Sequence, residues 1–252
     1  CFIPTNAAHW PHWVPDHYRA PMRQAWAEAS AAGRVPDLSN DQVETIISYL
    51  AMIRNIDDNM GLLQEFLEDE ALLDNTLLIF TTDNGTTFGH LYFNAGMRGH
   101  KTQLWEGGHR VPCFVRWPQG EFGSPRDTDD LTHIQDLFPT ILEACGIDSS
   151  EFPHDGLNLL PLLKNQVDAI DERMLVINYS RMPIHLDYPV ADSPTHMRKE
   201  GAGVLWKDWR LLRDSELYDL SDDPAQQRNV IADHPEVARR MRARLDSWWA
   251  EV

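Results

Sequence analysis

Cysteine, positive charge and long apolar runs are all scarce in this chain. The three cysteines, Cys1, Cys113 and Cys145, lie far apart and form no CxxC pair. Such spacing indicates neither a disulfide framework nor a zinc site. No apolar run approaches the ~18 residues of a membrane span. The longest β-rich runs, at 76–80 and 111–117, are strand-length. Lys and Arg total 22 against 39 Asp and Glu, a formal charge of −17, and the largest basic cluster is one helix face at 239–244. Binding a phosphate backbone needs concentrated positive charge, so the composition argues against nucleic acid as a partner. Repeats and low-complexity tracts are missing, as is the charged-then-apolar pattern of a signal peptide. The chain starts at Cys1 in a segment, CFIPTNAAHWP, that reads as strand and loop inside a domain. The expectation is that an N-terminal part of a larger protein precedes it.

What is present suits a globular α/β protein. A length of 252 residues with 42% apolar content fits one large domain or two smaller ones. Residues 1–4 read as a short strand, 5–18 as a loop, and the alanine-rich stretch 21–32 as a helix ended by Gly33. The clearest helix lies within 39–73, where Val43, Ile46, Ile47, Leu50, Ile53, Ile56, Met60, Leu63 and Leu67 form one stripe at spacings of three and four. Ser39 with Gln42 makes a capping box at its start. Residues 76–81 form a strand that is apolar on both faces, the mark of a parallel sheet covered by helices. Residues 133–145 read as a helix burying Ile134, Leu137, Phe138, Ile141 and Leu142, with Gly146 as its C′ residue. A short apolar element at 159–163 and a strand at 175–179 follow, then a polar surface loop at 181–203 carrying His185, Asp187 and His196, to which no role is given. From 204 the pattern changes to short antiparallel strands, with turns at Lys207-Asp208 and Arg213-Asp214, and ends in a helix at 235–250. The expected division is therefore 1–203 and 204–252. The fold class is α/β: a mostly parallel sheet flanked by helices, with a small antiparallel sheet and helix at the C-terminus.

The chemistry gathers between residues 76 and 118. Asp83-Asn84-Gly85 follows the strand at 76–81, and ligand sites in open α/β sheets collect at the carboxyl ends of strands. Asp83 and Asn84 offer only oxygens, which suits Ca²⁺ or Mg²⁺; Asn-Gly is equally a common turn dipeptide. Lys101 sits in the glycine-bordered loop MRGHKTQLWEGGHRVP, where an ammonium can neutralise an oxyanion, or can be an ordinary solvated lysine. His9, in NAAHWP, could contact substrate or protonate a leaving group, or be an incidental loop histidine. His12 and His17 lie nearby without a motif. Glu106 reads as a structural carboxylate paired with Arg110. Asp57 and Asp58 are adjacent on the long helix, face different ways, and read as structural. Trp248-Trp249 reads as packing.

Taken in order, NAAHWP, then DNNMGLLQEFLEDEALLDNTLLIFTTDNG, then GMRGHKTQLWEGGHRVPCFVRWP resemble the sulfatase family of the alkaline phosphatase superfamily. DLFPTILEACGI, DGLNLLPLL and ELYDLSDDPAQQRNVIADHPEVARRM are similar to later parts of bacterial arylsulfatases. The resemblance implies an alkaline phosphatase-like fold and sulfuric ester hydrolysis. It implies Asp83 and Asn84 as two ligands of an active-site Ca²⁺, Mg²⁺ being the other option, and Lys101 as the sulfate-binding residue. His9 matches the histidine of the family's N-A-P-H element, with Ala8 where proline is usual. His9 and Lys101 are thereby the candidate catalytic and substrate-binding residues. The implied substrate is a sulfated small molecule or sulfated glycan, and the implied location periplasmic or secreted.

Family members attack with a formylglycine made within C/S-x-P/A-x-R. None of CFIPT, CFVRW and CGIDS has the arginine. Ser30-Ala31-Ala32-Gly33-Arg34 matches literally but follows His9 instead of lying upstream of it, and reads as an alanine-rich helix end. The paired N-terminal aspartates and the second Lys/His pair of the family site also have no counterpart. The expectation is thus a C-terminal portion that supplies about half a site and is inactive alone. Two alternatives are a phosphodiesterase or phosphonate hydrolase of the same superfamily, and a non-catalytic module binding sulfate or sulfated glycans.

Overall fold

The computed structural model describes residues 1–170, 172–179 and 199–252. His185, Asp187 and His196 of the expected surface loop lie outside the described residues.

Helix α1 (Asp16–Ala31) and helix α2 (Asn40–Asp69) pack on each other at the N-terminal end. Ser39 caps α2 as expected: its hydroxyl accepts from the Gln42 amide, and the Gln42 side chain accepts from the Ser39 amide at 3.0 Å. Trp26 of α1 packs on Ile46 and Ile47 of α2, and both phenylalanine Phe88 and Leu91 close over this cluster. Glu44 of α2 accepts from Arg19 and Arg23 of α1 at 3.0 and 2.7 Å. These contacts let α1 begin at Asp16 and run through Pro21, five residues before the start expected from the sequence. Proline favours a helix start, but docking of Trp26 extends the helix on both sides of it. Residues 1–4 are exposed and unpaired among the described residues, so the expected first strand is not formed; a strand needs a neighbour to satisfy its amides.

Strand β1 (Leu78–Thr81) pairs antiparallel with strand β2 (Cys113–Arg116), Leu78 opposite Arg116 and Thr81 opposite Cys113. Between them lies helix α3 (Glu106–His109). The parallel partners expected of β1 are not among the described pairings, all of which are antiparallel. Phe114 on β2 is 67% exposed.

Helix α4 (Leu137–Ala144) ends as expected at Gly146, whose φ of +74° allows the Ile147 amide to reach back to the Leu142 carbonyl at 3.0 Å. Its buried face differs from expectation. Pro139 and Thr140 are buried, whereas Ile134, Phe138 and Ile141 are exposed. Polar anchoring outweighs the apolar stripe here. Asp136, at the start of the helix, is fully buried and accepts from the amides of His133 and Leu157 and from both Nη atoms of Arg173. Thr140 Oγ1 donates to the Asp136 carbonyl and accepts from the Leu159 amide, which leads into helix α5 (Leu160–Leu163). Turning this side inward leaves the aliphatic side outward.

Strands β3 (Met174–Asn178), β4 (Ala202–Trp206), β5 (Trp209–Leu212) and β6 (Glu216–Asp219) form one antiparallel sheet in that order. β3 joins it from upstream of residue 204. The turns at Lys207 and at Arg213-Asp214 take positive φ, as tight hairpins require. Helix α6 (Pro235–Glu251) covers one face, burying Ala238, Met241 and Leu245 against Ala202, Val204, Leu211 and Leu217. Each such aliphatic side chain contributes about 1.5–3 kcal/mol on full burial. On the other face Leu212 and Tyr218 bury Leu104, just before α3.

Candidate functional site

β1 delivers the chain to Asp83-Asn84 at its carboxyl end, and three short segments then cross. The Gly85 amide donates to the Gly108 carbonyl at 3.0 Å, and the Lys101 amide donates to the Thr86 carbonyl at 2.9 Å. The Gly107 amide donates to the Arg98 carbonyl at 2.8 Å. The turn after Asn84 is therefore tied both to α3 and to the loop carrying Lys101. Thr86 Oγ1 accepts from the Gly89 amide at 2.7 Å and reaches Tyr49 OH of α2 at 3.3 Å. Asn94 holds the loop's shape by donating to the carbonyls of Met97 and Gly99, each at 2.8 Å.

Glycines make this crossing possible. A Cβ on Gly85 would lie 1.9 Å from the Gly107 carbonyl oxygen, and one on Gly108 would lie 2.0 Å from that of Gln103. Both obstacles are backbone, so no side-chain rotation relieves them. Gly108→Ala is expected to destabilise the chain by about 1–3 kcal/mol, the usual range for overpacking. Denaturant titration checks this; an unchanged midpoint would show that the crossing is loose.

The candidate side chains at the crossing are unpartnered among the described residues. Lys101 is half-buried, and its ammonium has no carboxylate or hydrogen-bond partner among the described residues. The Asp83 carboxylate, exposed, and the Asn84 carboxamide, half-buried, likewise have none. Two oxygen-bearing side chains with no competing bonds suit a hard cation chemically, as two of the 6–8 oxygens that Ca²⁺ usually takes. Among the described residues no cluster of three or more His, Cys, Asp or Glu completes such a set.

His9 stands on a separate loop. It is exposed, and its Nδ1 lies 2.6 Å from the Trp10 carbonyl oxygen. A carbonyl only accepts, so this contact assigns the proton to Nδ1 and leaves Nε2 as the free nitrogen. The loop leans on the crossing through His12, whose ring meets Phe88 and Tyr49 edge-on at 5.0 and 6.0 Å. No hydrogen bond or ion pair joins His9 to Asp83, Asn84 or Lys101 among the described residues. Burial, with the charge of His9 second, holds the His12 imidazole below its ordinary range.

Several residues at the site carry no sequence signature of their own. His90 and His100 stack at 4.6 Å beside Lys101, and burial followed by the His100 charge lowers the His90 imidazole. Glu106 is structural, as expected, but its main partner is Arg210 of β5 at 2.7 Å, both side chains nearly inaccessible. The expected partner Arg110 is mostly exposed and 3.7 Å away. The Glu106 amide donates to Gln226 Oε1 at 2.8 Å. An arginine inside the otherwise apolar WRLL strand was the available signal, since a buried guanidinium demands a carboxylate. Asp58 pairs with Arg54 one turn earlier at 2.8 Å. Ser30 is exposed in the last turn of α1, and Gly33 beyond it takes φ +64°, a plain helix end.

Comparison with known proteins defines the class. The chain matches the sulfatase family over residues 1–147 and the C-terminal region of N-sulphoglucosamine sulphohydrolase over residues 99–250. It belongs to the sulfatase family. Over 228 residues it is 28% identical to the sulfatase YdeN of Escherichia coli K12, covering 80% of this chain and 40% of the relative. An N-acetylglucosamine-6-O-sulfatase of Bacteroides thetaiotaomicron is 26% identical over 234 residues, covering 86% and 38%. The chain thus spans about 40% of the length of these relatives. The crystal structure of Ps i-CgsB in complex with k-i-k-neocarrahexaose superposes with a TM-score of 0.66 at 22% identity, covering 96% of this chain and 48% of that one. That likeness shows a shared fold. Among the described residues no helix is long and apolar enough to cross a membrane.

Proposed function

We propose that the full-length enzyme containing this chain hydrolyses sulfate esters, and that residues 83–108 bind the sulfate group. One observation carries the reading. Lys101 is half-buried without a counter-ion among the described residues, in a chain of net charge −17, and its amide is bonded to the turn that offers Asp83 and Asn84. A cation left unpaired among so many carboxylates is poised for an anion from solution. Lys101 binds the sulfate oxygens and offsets the charge that grows on them. Asp83 and Asn84 would hold two positions around Ca²⁺, or Mg²⁺, and the cation would supply polarisation of the sulfate oxygens. His9, as the imidazolium with a proton on each nitrogen, hands its Nε2 proton to the leaving alcohol oxygen and returns to the neutral ring with Nδ1–H on the Trp10 carbonyl. The nucleophile of this reading is formylglycine. A mostly parallel sheet, extending the β1–β2 ladder in the full-length enzyme, completes the fold. The N-acetylglucosamine-6-O-sulfatase among the relatives and the neighbour bound to k-i-k-neocarrahexaose favour a sulfated glycan over a small aryl sulfate.

Two measurements test this. The 252-residue chain alone is expected to show no turnover of an aryl sulfate with Ca²⁺, because no nucleophile motif in it fits; turnover that survives Ser30→Ala would overturn that. The full-length enzyme is expected to prefer an aryl sulfate to the matched phosphate and phosphonate esters. A preference for the phosphorus esters would replace this reading with the phosphonate hydrolase one, and Lys101-dependent glycan binding without any turnover would replace it with the binding module.

A further inference from the structure

We propose that Arg210, on the C-terminal sheet, is a positioning residue for the Lys101 anion site and acts through Glu106. This rests on the reading that Lys101 binds the sulfate group.

Both ends of Glu106 are held from the C-terminal side. Its Oε1 accepts from Arg210 Nε at 2.7 Å, and its amide donates to Gln226 Oε1 at 2.8 Å. Arg210 is itself oriented by the carbonyls of Lys207 and Trp209, which accept from its Nη1 at 2.5 and 2.9 Å. Arg98, three residues before Lys101, is held by the same segment, donating to the Gln226 carbonyl at 2.7 Å and Tyr218 OH at 3.3 Å. The Trp105 ring between these anchors is flanked by two guanidinium groups, Arg98 at 4.1 Å and Arg213 at 4.9 Å.

From this clamp to the site the path is short. Glu106 opens α3, Gly108 at its third position accepts from the Gly85 amide, and the next residue, Thr86, accepts from the Lys101 amide. Gly107 ties back to Arg98. From Glu106 onward every link is a main-chain bond, and the side-chain contacts lie at the root: the Glu106–Arg210 pair, the Gln226 side chain on the Glu106 amide, and the Arg98 guanidinium on Gln226 and Tyr218. A buried ion pair is a poor source of net stability, because desolvation cancels much of its attraction, but it defines one geometry. Here the geometry it defines is the seating of α3. Arg210 touches no candidate ligand, so its effect on chemistry has to pass through Lys101.

The test is a double-mutant cycle in the full-length enzyme, read together with amide exchange. Arg210→Met is expected to lower kcat/KM at least tenfold while the protein stays folded at the assay temperature. In a Lys101→Ala background the same substitution is expected to change kcat/KM less than twofold, since the group it positions is gone. Exchange of the 83–108 amides is expected to quicken at least tenfold in Arg210→Met, while β4 and α6 stay protected. Undiminished protection of 83–108 in folded Arg210→Met, or a full tenfold loss repeated on Lys101→Ala, would overturn the proposal. Should Arg210→Met fail to fold, Glu106→Gln, which keeps shape and removes charge, is held to the same criteria. An enzyme that cleaves phosphonate but not sulfate esters would end the sulfatase reading and leave this test intact, with the cycle run on the ester it hydrolyses. With no ester turnover at all, the exchange result decides alone.

Discussion

Lys101→Ala is expected to lower kcat/KM of the full-length enzyme on a sulfate ester by about 10²–10³-fold. That is the range measured when a single preorganised group that stabilises developing negative charge is removed, about 2.7–4 kcal/mol. The loss should fall on kcat as much as on KM, because the sulfate oxygens gain charge on the way to the transition state. Folding should change little in the same variant: the ammonium makes no ion pair or hydrogen bond among the described residues, so its removal strands no partner. Lys101→Arg should restore part of the activity, since charge is kept while the planar fork needs different space. The combination separates function from stability. Steady-state kinetics beside a thermal melt would show it, and a Lys101→Ala enzyme within threefold of wild type would remove the lysine from the site.

The largest effect on stability is expected at Asp136, far from any chemistry. Asp136→Ala should cost about 3–5 kcal/mol, the range for removing one partner of a buried ion pair. At about 2–4 °C per kcal/mol for a chain of this size, the melting temperature should fall by about 6–20 °C. The reason is the number of donors left behind: Arg173, at 2.8 and 2.5 Å, and the amides of His133 and Leu157. A pH dependence follows from the same geometry. Burial resists ionisation of the carboxyl, but the Arg173 fork and the Leu157 and His133 amides outweigh it and hold Asp136 below the ordinary carboxylate range. A depressed value in the folded state adds stability that is fully present above the unfolded value near 3.9 and disappears as pH falls through the folded one. The wild type should therefore lose this contribution only below about pH 4, and Asp136→Ala should show a flatter acid limb. Thermal melts between neutral pH and pH 3 measure both. A drop under about 3 °C at neutral pH would mean that the Arg173 charge finds water on its own.

Helices α2 and α6 and the hairpin strands from β4 to β6 were legible as elements, but on α2 the expected stripe only partly matches what is buried: Ile46, Ile47 and Leu67 are buried, Ile53 is exposed, and Ala51 and Met52 outside the stripe are buried. Local chemistry also marked the start of α2, through Ser39 with Gln42, and the end of α4, through Gly146. The stripe on α4 misled further. Ile134, Phe138 and Ile141 are periodic, yet Asp136 and Thr140 supply the buried contacts, and hydrogen bonds to distant segments leave no periodic trace. The mostly parallel sheet was inferred from a strand apolar on both faces, a pattern that shows burial but not the direction of the neighbouring strand.

By itself the sequence determined the family and named Asp83, Asn84, Lys101 and His9 as the residues to inspect, because residue type and order along the chain are the whole of a motif. Tertiary structure decided what those residues can do together. It tied the Lys101 loop to the turn after Asn84 through main-chain bonds, which any residue can make and no motif records. It left Lys101 without a counter-ion among the described residues, and it gave Glu106 to Arg210 rather than Arg110, across a separation that only folding closes. Charge pairing depends on distance in space, and a one-dimensional reading finds only the partners that are near in the chain.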